Sequence, residues 1–115
     1  MANYRQCEYE DESLKVGQPV YVSEWVDVGP NPRKRFGGRP LHKGSACQSE
    51  AYLTNMGQKP LLRGWLGTTN DTACYALGVG VVVSVERNWE DQLIARVRLA
   101  REGSQAEEKL LEELG

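Results

Sequence analysis

Long apolar stretches are missing from this sequence of 115 residues. No run approaches the roughly 20 apolar residues that a membrane-spanning helix needs, so neither a span nor a membrane partner is predicted. Residues 1–6 are polar and lack the apolar core of a signal peptide. These absences lead us to expect a cytoplasmic protein.

Close pairs of metal-ligating residues are missing as well. Cys7, Cys47 and Cys74 lie far apart, and none belongs to a C-x2-C pair of the kind that structural zinc sites use. Together with His42 they would make a Cys3His set, but its spacing matches no zinc motif. We therefore predict three free thiols in a reducing compartment, no bound metal and no cofactor.

Signatures of catalysis are scarce. His42 is the single histidine, so it is the one imidazole that could activate Cys47 or Cys74 as a nucleophile. The G-x-S-x-G turn and the Walker A sequence are absent, and residues 78–80 lack the third glycine of a dinucleotide-binding motif. We expect a non-catalytic protein rather than an enzyme.

Runs rich in valine and aromatic residues, separated by some of the 12 glycines, indicate strands joined by turns. Strands are predicted at residues 19–28, 61–66, 73–86 and 93–100, with a weaker one at 50–56. The strand at 93–100 alternates, so one face should be buried. That face holds Leu93, Ala95, Val97 and Leu99.

The strand order predicts a mainly β fold, namely a small antiparallel barrel or bent sheet of about five strands with a short C-terminal α-helix. The segment from Lys15 to Val22 and the Gly-x-Gly-Val-Val-Val run at 78–83 resemble an SH3-like small barrel. Ser104 and Glu107 form an S-x-x-E capping box that begins the helix. One face of this helix should dock, and it holds Ala106, Leu110, Leu111 and Leu114.

We divide the chain into an acidic N-terminal segment at residues 1–13, a β-barrel domain at 14–102 and the amphipathic helix at 103–115. The acidic run at residues 8–12 predicts no ordered structure before Leu14.

Acidic side chains are missing from one part of the chain. The net charge is only −2, yet residues 28–48 carry five basic side chains and no acidic one. The Gly- and Pro-containing dipeptides between residues 29 and 46 predict a long loop here. Its candidate binding residues are Arg33, Lys34, Arg35, Phe36, Arg39, His42 and Lys43.

Two interpretations of this loop stay open. Basic side chains neutralise phosphates, and Phe36 can stack on an unpaired base. Gly38-Arg39-Pro40 resembles the core of an AT-hook, which implies that Arg39 enters the minor groove of DNA, although Gly37 stands where that motif has its first arginine. The alternative is an ordinary solvated loop, and the acidic segments on either side favour it because they repel polyanions.

The large aromatic rings are the last candidates. Trp25, Trp65 and Trp89 can fill the core and protect strand edges, which is the interpretation that the sequence favours. They can also form a surface for a partner, since exposed tryptophan is frequent at binding hot spots.

Our preferred function is a non-catalytic binding or interaction module that uses the loop at 29–46 and nearby aromatic residues. Its partner would be another protein or a second copy of the chain. One alternative is a small-molecule-binding barrel, or minor enzyme, with a pocket lined by Trp and Tyr. Another is a nucleic-acid accessory protein that uses the basic loop.

Overall fold

The computed structural model describes residues 3–8, 14–27, 41–69, 72–91 and 93–115. Within these residues the fold is mainly β, and a helix ends the chain. The elements in chain order are β1 (Asn3–Glu8), β2 (Pro19–Asp27), β3 (Leu41–Gln48), α1 (Glu50–Asn55), β4 (Gly64–Thr69), β5 (Thr72–Arg87), β6 (Leu93–Leu99) and α2 (Gln105–Leu114).

The strands form one sheet in the order β2-β3-β1-β6-β5-β4, and β2 also pairs with β5. Neighbouring strands are antiparallel, except that β1 and β3 run parallel and meet at Glu8 and Ala46. With 16 residues, β5 is long enough to pair with three strands, namely β2, β4 and β6. The SH3-like barrel itself stays a prediction.

The core lies on one face of this sheet and consists mainly of valines and cysteines. Its buried members are Cys7, Leu14, Val20, Val22, Cys47, Val82, Ala95 and Val97. The predicted face of β6 is confirmed, because Ala95 and Val97 are buried and Leu93 and Leu99 pack against the same cluster. Ile94 is also buried, which the alternation did not indicate.

The expectation that no ordered structure precedes Leu14 is wrong. Strand β1 pairs with β6 along its whole length, from Asn3 opposite Leu99 to Glu8 opposite Ile94. Cys7 is completely buried in the core. The reason is that β1 is stabilised by a strand far away in the sequence, so the polar composition around it says little about its order.

Two further predictions need correction. Residues 50–56 are not a strand, because Ser49 caps helix α1 by accepting a hydrogen bond from the Tyr52 N–H. The loop predicted up to residue 46 is shorter, since β3 begins at Leu41. Within β3, Gly44 lies opposite Trp25 and His42 opposite Val26, so Gly44 belongs to a strand beside a bulge and not to the predicted loop.

Strand β4 begins three residues later than predicted. Trp65 lies opposite Tyr75 and Gly67 opposite Cys74, which leaves Leu66 as the extra residue of a bulge. Gly67 has a φ of 155°, a backbone conformation that glycine tolerates and other residues rarely adopt. A glycine that the sequence suggests as a turn therefore continues the strand.

The C-terminal helix is confirmed, but only one of the two hydrogen bonds of the predicted capping box is present, because the Ser104 N–H donates to the Arg101 carbonyl oxygen instead of to Glu107. The Ser104 hydroxyl accepts from the Glu107 N–H at 3.1 Å, and Glu107 Oε1 accepts from the Gly103 N–H at 3.2 Å. The helix contacts β5 and β2. Glu107 is its buried residue, whereas Ala106, which we placed on the docked face, is exposed.

Candidate functional site

The predicted basic residues are only partly within the described structure. Arg33, Lys34, Arg35, Phe36 and Arg39 lie outside the described residues. His42 and Lys43, which we assigned to the loop, lie on strand β3 instead.

The strand ends on either side of residues 28–40 lie at one place in the sheet. Asp27, the last residue of β2, pairs with Leu41, the first of β3, and also with Thr72, the first of β5. Trp25 lies two residues from this end of β2 and is half-buried. The strand ends that flank the basic segment therefore lie close to one of the predicted aromatic residues.

A second aromatic residue lies near the same end of the sheet. The Trp65 ring makes an edge-to-face contact with Tyr75, with ring centroids 5.2 Å apart and planes at 83°. Tyr75 lies three residues from the start of β5, which is about 10 Å along a strand. Trp65 is 57% exposed and the adjacent Leu66 is 45% exposed, so β4 presents two large apolar side chains to solvent.

This end of the sheet also holds Cys74, which lies opposite Trp25. Burial raises the pKa of the Cys74 thiol, and hydrogen bonds with Trp25 and Ser23 only partly oppose that shift. The thiol is thus held in its protonated form at neutral pH, in which it is a poor nucleophile. This environment does not suit the Cys–His chemistry considered for Cys74.

Trp89 lies away from the other two tryptophans, beyond the opposite end of β5. It is 91% exposed, so the expectation that its ring would be covered is wrong for the single chain. Its turn is nevertheless held firmly. Asn88 Oδ1 accepts from the Glu90 N–H at 2.9 Å, and Arg87 Nη1 donates to the Asp91 carbonyl oxygen at 3.0 Å.

The remaining two thiols meet in the core. Cys7 and Cys47 are both fully buried, and they lie on the parallel neighbours β1 and β3. The hydrogen bond with Cys47 lowers the pKa of Cys7; burial opposes this, and the charge of Arg5 adds to it. Among the described residues, no group of three or more His, Cys, Asp or Glu side chains could hold a metal ion.

One exposed cluster was missed in the sequence. Tyr4 of β1 lies opposite Arg98 of β6, and the Arg96 guanidinium carbon is 4.7 Å from the centre of the Tyr4 ring. All three side chains are exposed. The alternation of Arg96 and Arg98 with buried residues could have indicated half of this cluster, but Tyr4 was assigned to an unstructured segment.

Comparisons with family models, with curated proteins and with solved structures returned no match. In the part of the chain that the structure describes, no helix is long and apolar enough to cross a membrane.

Proposed function

We propose that this chain is a non-catalytic binding or interaction module, whose contacts are made by residues 29–46 and by the aromatic side chains beside them. The observation that supports this proposal is the exposure of Trp65 and Leu66 on β4, near the strand ends that flank residues 28–40. Tryptophan and arginine are both enriched at binding hot spots, and the sequence holds Trp65 on β4 and Arg33, Arg35 and Arg39 within residues 28–40.

The position of β4 in the sheet is consistent with a binding role. Among the described strands it pairs with β5 alone, so its other edge is open. The open edge of a strand can pair with a strand of another molecule and so cause aggregation. A β-bulge hinders this pairing because it twists the edge strand. The bulge at Leu66 has this effect, and it also turns an extra apolar side chain outward. We infer that β4 recognises its partner through side chains.

A protein partner or a second copy of the chain fits these features better than a small molecule does. Small ligands bind in concave pockets that bury most of their surface. Trp65 and Trp89, which would have to line such a pocket, are instead largely exposed and lie towards opposite ends of β5. An exposed tryptophan on a strand, such as Trp65, suits a broad contact surface.

We also propose that the sheet is an SH3-like small barrel. The pairing of β2 with both β3 and β5 supports this, because the contacts β2-β3-β1-β6-β5-β2 follow a ring from strand to strand. The weakest part of that ring is the single register pair between Glu8 and Ala46. A cytoplasmic location is part of the same proposal, and the free state of Cys7, Cys47 and Cys74 is consistent with it.

The test compares surface variants in two measurements. Sedimentation equilibrium reports self-association, and capture on the immobilised chain reports other partners. We expect Trp89→Ser to self-associate, or to capture the same protein, as the wild type does. The double variant Trp65→Ser/Leu66→Ser should lose this binding. Arg33→Ala/Arg35→Ala should weaken it. If the Trp65/Leu66 variant binds as well as the wild type, or the wild type is monomeric and captures nothing, the proposal is wrong.

A further inference from the structure

The outer face of strands β1 and β6 carries a compact set of basic, aromatic and amide side chains. Cross-strand partners share a face, so the register of the sheet places Tyr4 beside Arg98 and Gln6 beside Arg96. On β5, Ser84 continues the row of Gln6 and Arg96. We call Tyr4, Gln6, Arg96 and Arg98 the β1–β6 face.

The four side chains of the β1–β6 face are all exposed. The other face of the same strands is the core, where Cys7, Ala95 and Val97 are fully buried. The main contacts of helix α2 are with β5 and β2. The exposed part of this face ends at Ile94, the next residue of β6 on the same side, which is buried. The register of the two strands sets the spacing of the four exposed side chains.

The Tyr4 ring and the two arginines of this face are arranged in a way that suits a ligand. Arg96 is held against Tyr4, with 4.7 Å between the guanidinium carbon and the ring centre, and Tyr4 is still 47% exposed. Arg96 and Arg98 are separated by two residues of one strand, which is about 7 Å. Two cations at that spacing beside an aromatic ring are suited to a polyanion whose repeating units also contain flat rings.

We propose that the β1–β6 face binds a short stretch of single-stranded nucleic acid. Arg96 and Arg98 would contact two phosphates, and one base would stack on Tyr4, as bases stack on aromatic platforms of other single-strand-binding surfaces. Gln6 and Ser84 supply neutral hydrogen-bonding groups beside the arginines. A row of exposed side chains along two strands favours such a polymer over a small anion, because small ligands bind in concave pockets.

Charge limits the strength of this interaction. The chain has a net charge of −2, and Glu86 lies in the next row, opposite Ile94. Binding should therefore be weak, and its salt dependence should be set by the phosphates that the two arginines neutralise. Each phosphate neutralised on a single strand contributes a slope of about 0.7 in log affinity against log salt, so two arginines give about 1.4.

This proposal does not depend on the proposed interaction module, because it uses neither β4 nor the basic segment. The test measures fluorescence anisotropy of labelled single-stranded RNA and DNA oligonucleotides over a series of salt concentrations. We expect binding with a slope of at least about 1.4, which Arg98→Ala lowers by about 0.7. Tyr4→Ala should weaken binding about tenfold without changing the slope, and Tyr4→Phe should restore it.

Two controls separate this face from other sources of binding. Lys109→Ala removes the same charge from α2 and should leave the slope unchanged. The series is repeated in an Arg33→Ala/Arg35→Ala background, in which the effects of Arg98→Ala and Tyr4→Ala must persist. The affinities for the RNA and the DNA oligonucleotides are compared to show which nucleic acid the face prefers. A preference for either one is consistent with the proposal, because both carry phosphates and bases.

Three results would each overturn the proposal. The first is an unchanged slope in Arg98→Ala, and the second is undiminished affinity in Tyr4→Ala. The third is equally strong competition by polyglutamate or by duplex DNA, which would show that charge alone is recognised. Because all the substituted residues are exposed, circular dichroism melts should show that every variant is folded.

Discussion

Arg63 forms an ion pair with the buried carboxylate of Glu107 and thereby links the segment before β4 to helix α2. The Glu107 side chain is 6% exposed and that of Arg63 is 27% exposed. A second carboxylate, that of Glu102, lies 3.7 Å from the same guanidinium but is largely exposed. The helix is therefore docked by a buried polar contact in addition to its half-buried leucines.

Glu107→Gln should lower the free energy of unfolding by about 2 kcal/mol, because removing one charge leaves Arg63 without its buried partner. Urea denaturation measures the loss. Glu108→Gln, at an exposed position of the same helix turn, is the matched control and should change little. Equal losses in the two variants would show that the ion pair does not stabilise the docked helix.

Val97→Asp should lower the free energy of unfolding by several kcal/mol, since it places an unpaired carboxylate at a position that is completely buried. Val85→Asp makes the same chemical change on β5, where the side chain is 39% exposed. Thermal melts of both variants test the register of β6. If Val85→Asp is the more damaging of the two, the assigned core face is incorrect.

Trp65→Ala should cost about 1 kcal/mol of stability, because it removes the edge-to-face contact with Tyr75. Trp89→Ala removes an equally large ring that is almost fully exposed, so its effect should stay within about 0.5 kcal/mol. Chemical denaturation at two protein concentrations distinguishes this local effect from self-association. A larger loss in Trp89→Ala, independent of concentration, would mean that its ring is covered.

Cys74 gives a prediction about pH. Burial raises its pKa above the ordinary value of 9.0, so the unfolded chain loses this proton at a lower pH than the folded chain does. The stability that Cys74 contributes is therefore complete below pH 9 and declines as the pH rises towards the folded pKa. Between pH 8 and pH 10, the free energy of unfolding should decrease more in the wild type than in Cys74→Ser.

Tyr21 also has a raised pKa, through burial and the nearby charge of Glu50, and it remains in both proteins. Its contribution to alkaline destabilisation therefore cancels in the comparison. An identical alkaline loss in the wild type and in Cys74→Ser would contradict the assigned environment of the thiol.

The elements that the sequence predicted well are those whose signals are local. Strand β6 alternates between apolar and charged residues from Ala95 to Leu99, and α2 begins after a serine that is followed three residues later by a glutamate. Strand β1 escaped prediction because its partner β6 is distant in the sequence and its neighbours are acidic. Helix α1 escaped because one serine side chain, that of Ser49, outweighed a composition that resembles a weak strand.

The candidate sites divide in the same way. Trp65 and Trp89 could be singled out as large rings, but their exposure depends on which faces the sheet buries. The β1–β6 face could not be predicted, since Tyr4 and Arg98 become neighbours only through the pairing of distant strands. The sequence therefore identified individual candidate residues by their type. Which of these residues lie next to one another depends on the pairing of the strands, which the sequence did not indicate.

The pairing of Asn3 with Leu99 also has a consequence for how the chain acquires its structure on the ribosome. Strand β1 is synthesised before β2 to β5, whereas β6, the strand along which it pairs, is synthesised after them. Until β6 is available, β1 lacks the partner with which it pairs from Asn3 to Glu8, and Cys7 lacks its cross-strand partner Ala95. Contacts this distant in the sequence form slowly, so we expect β1 to join the sheet late in folding.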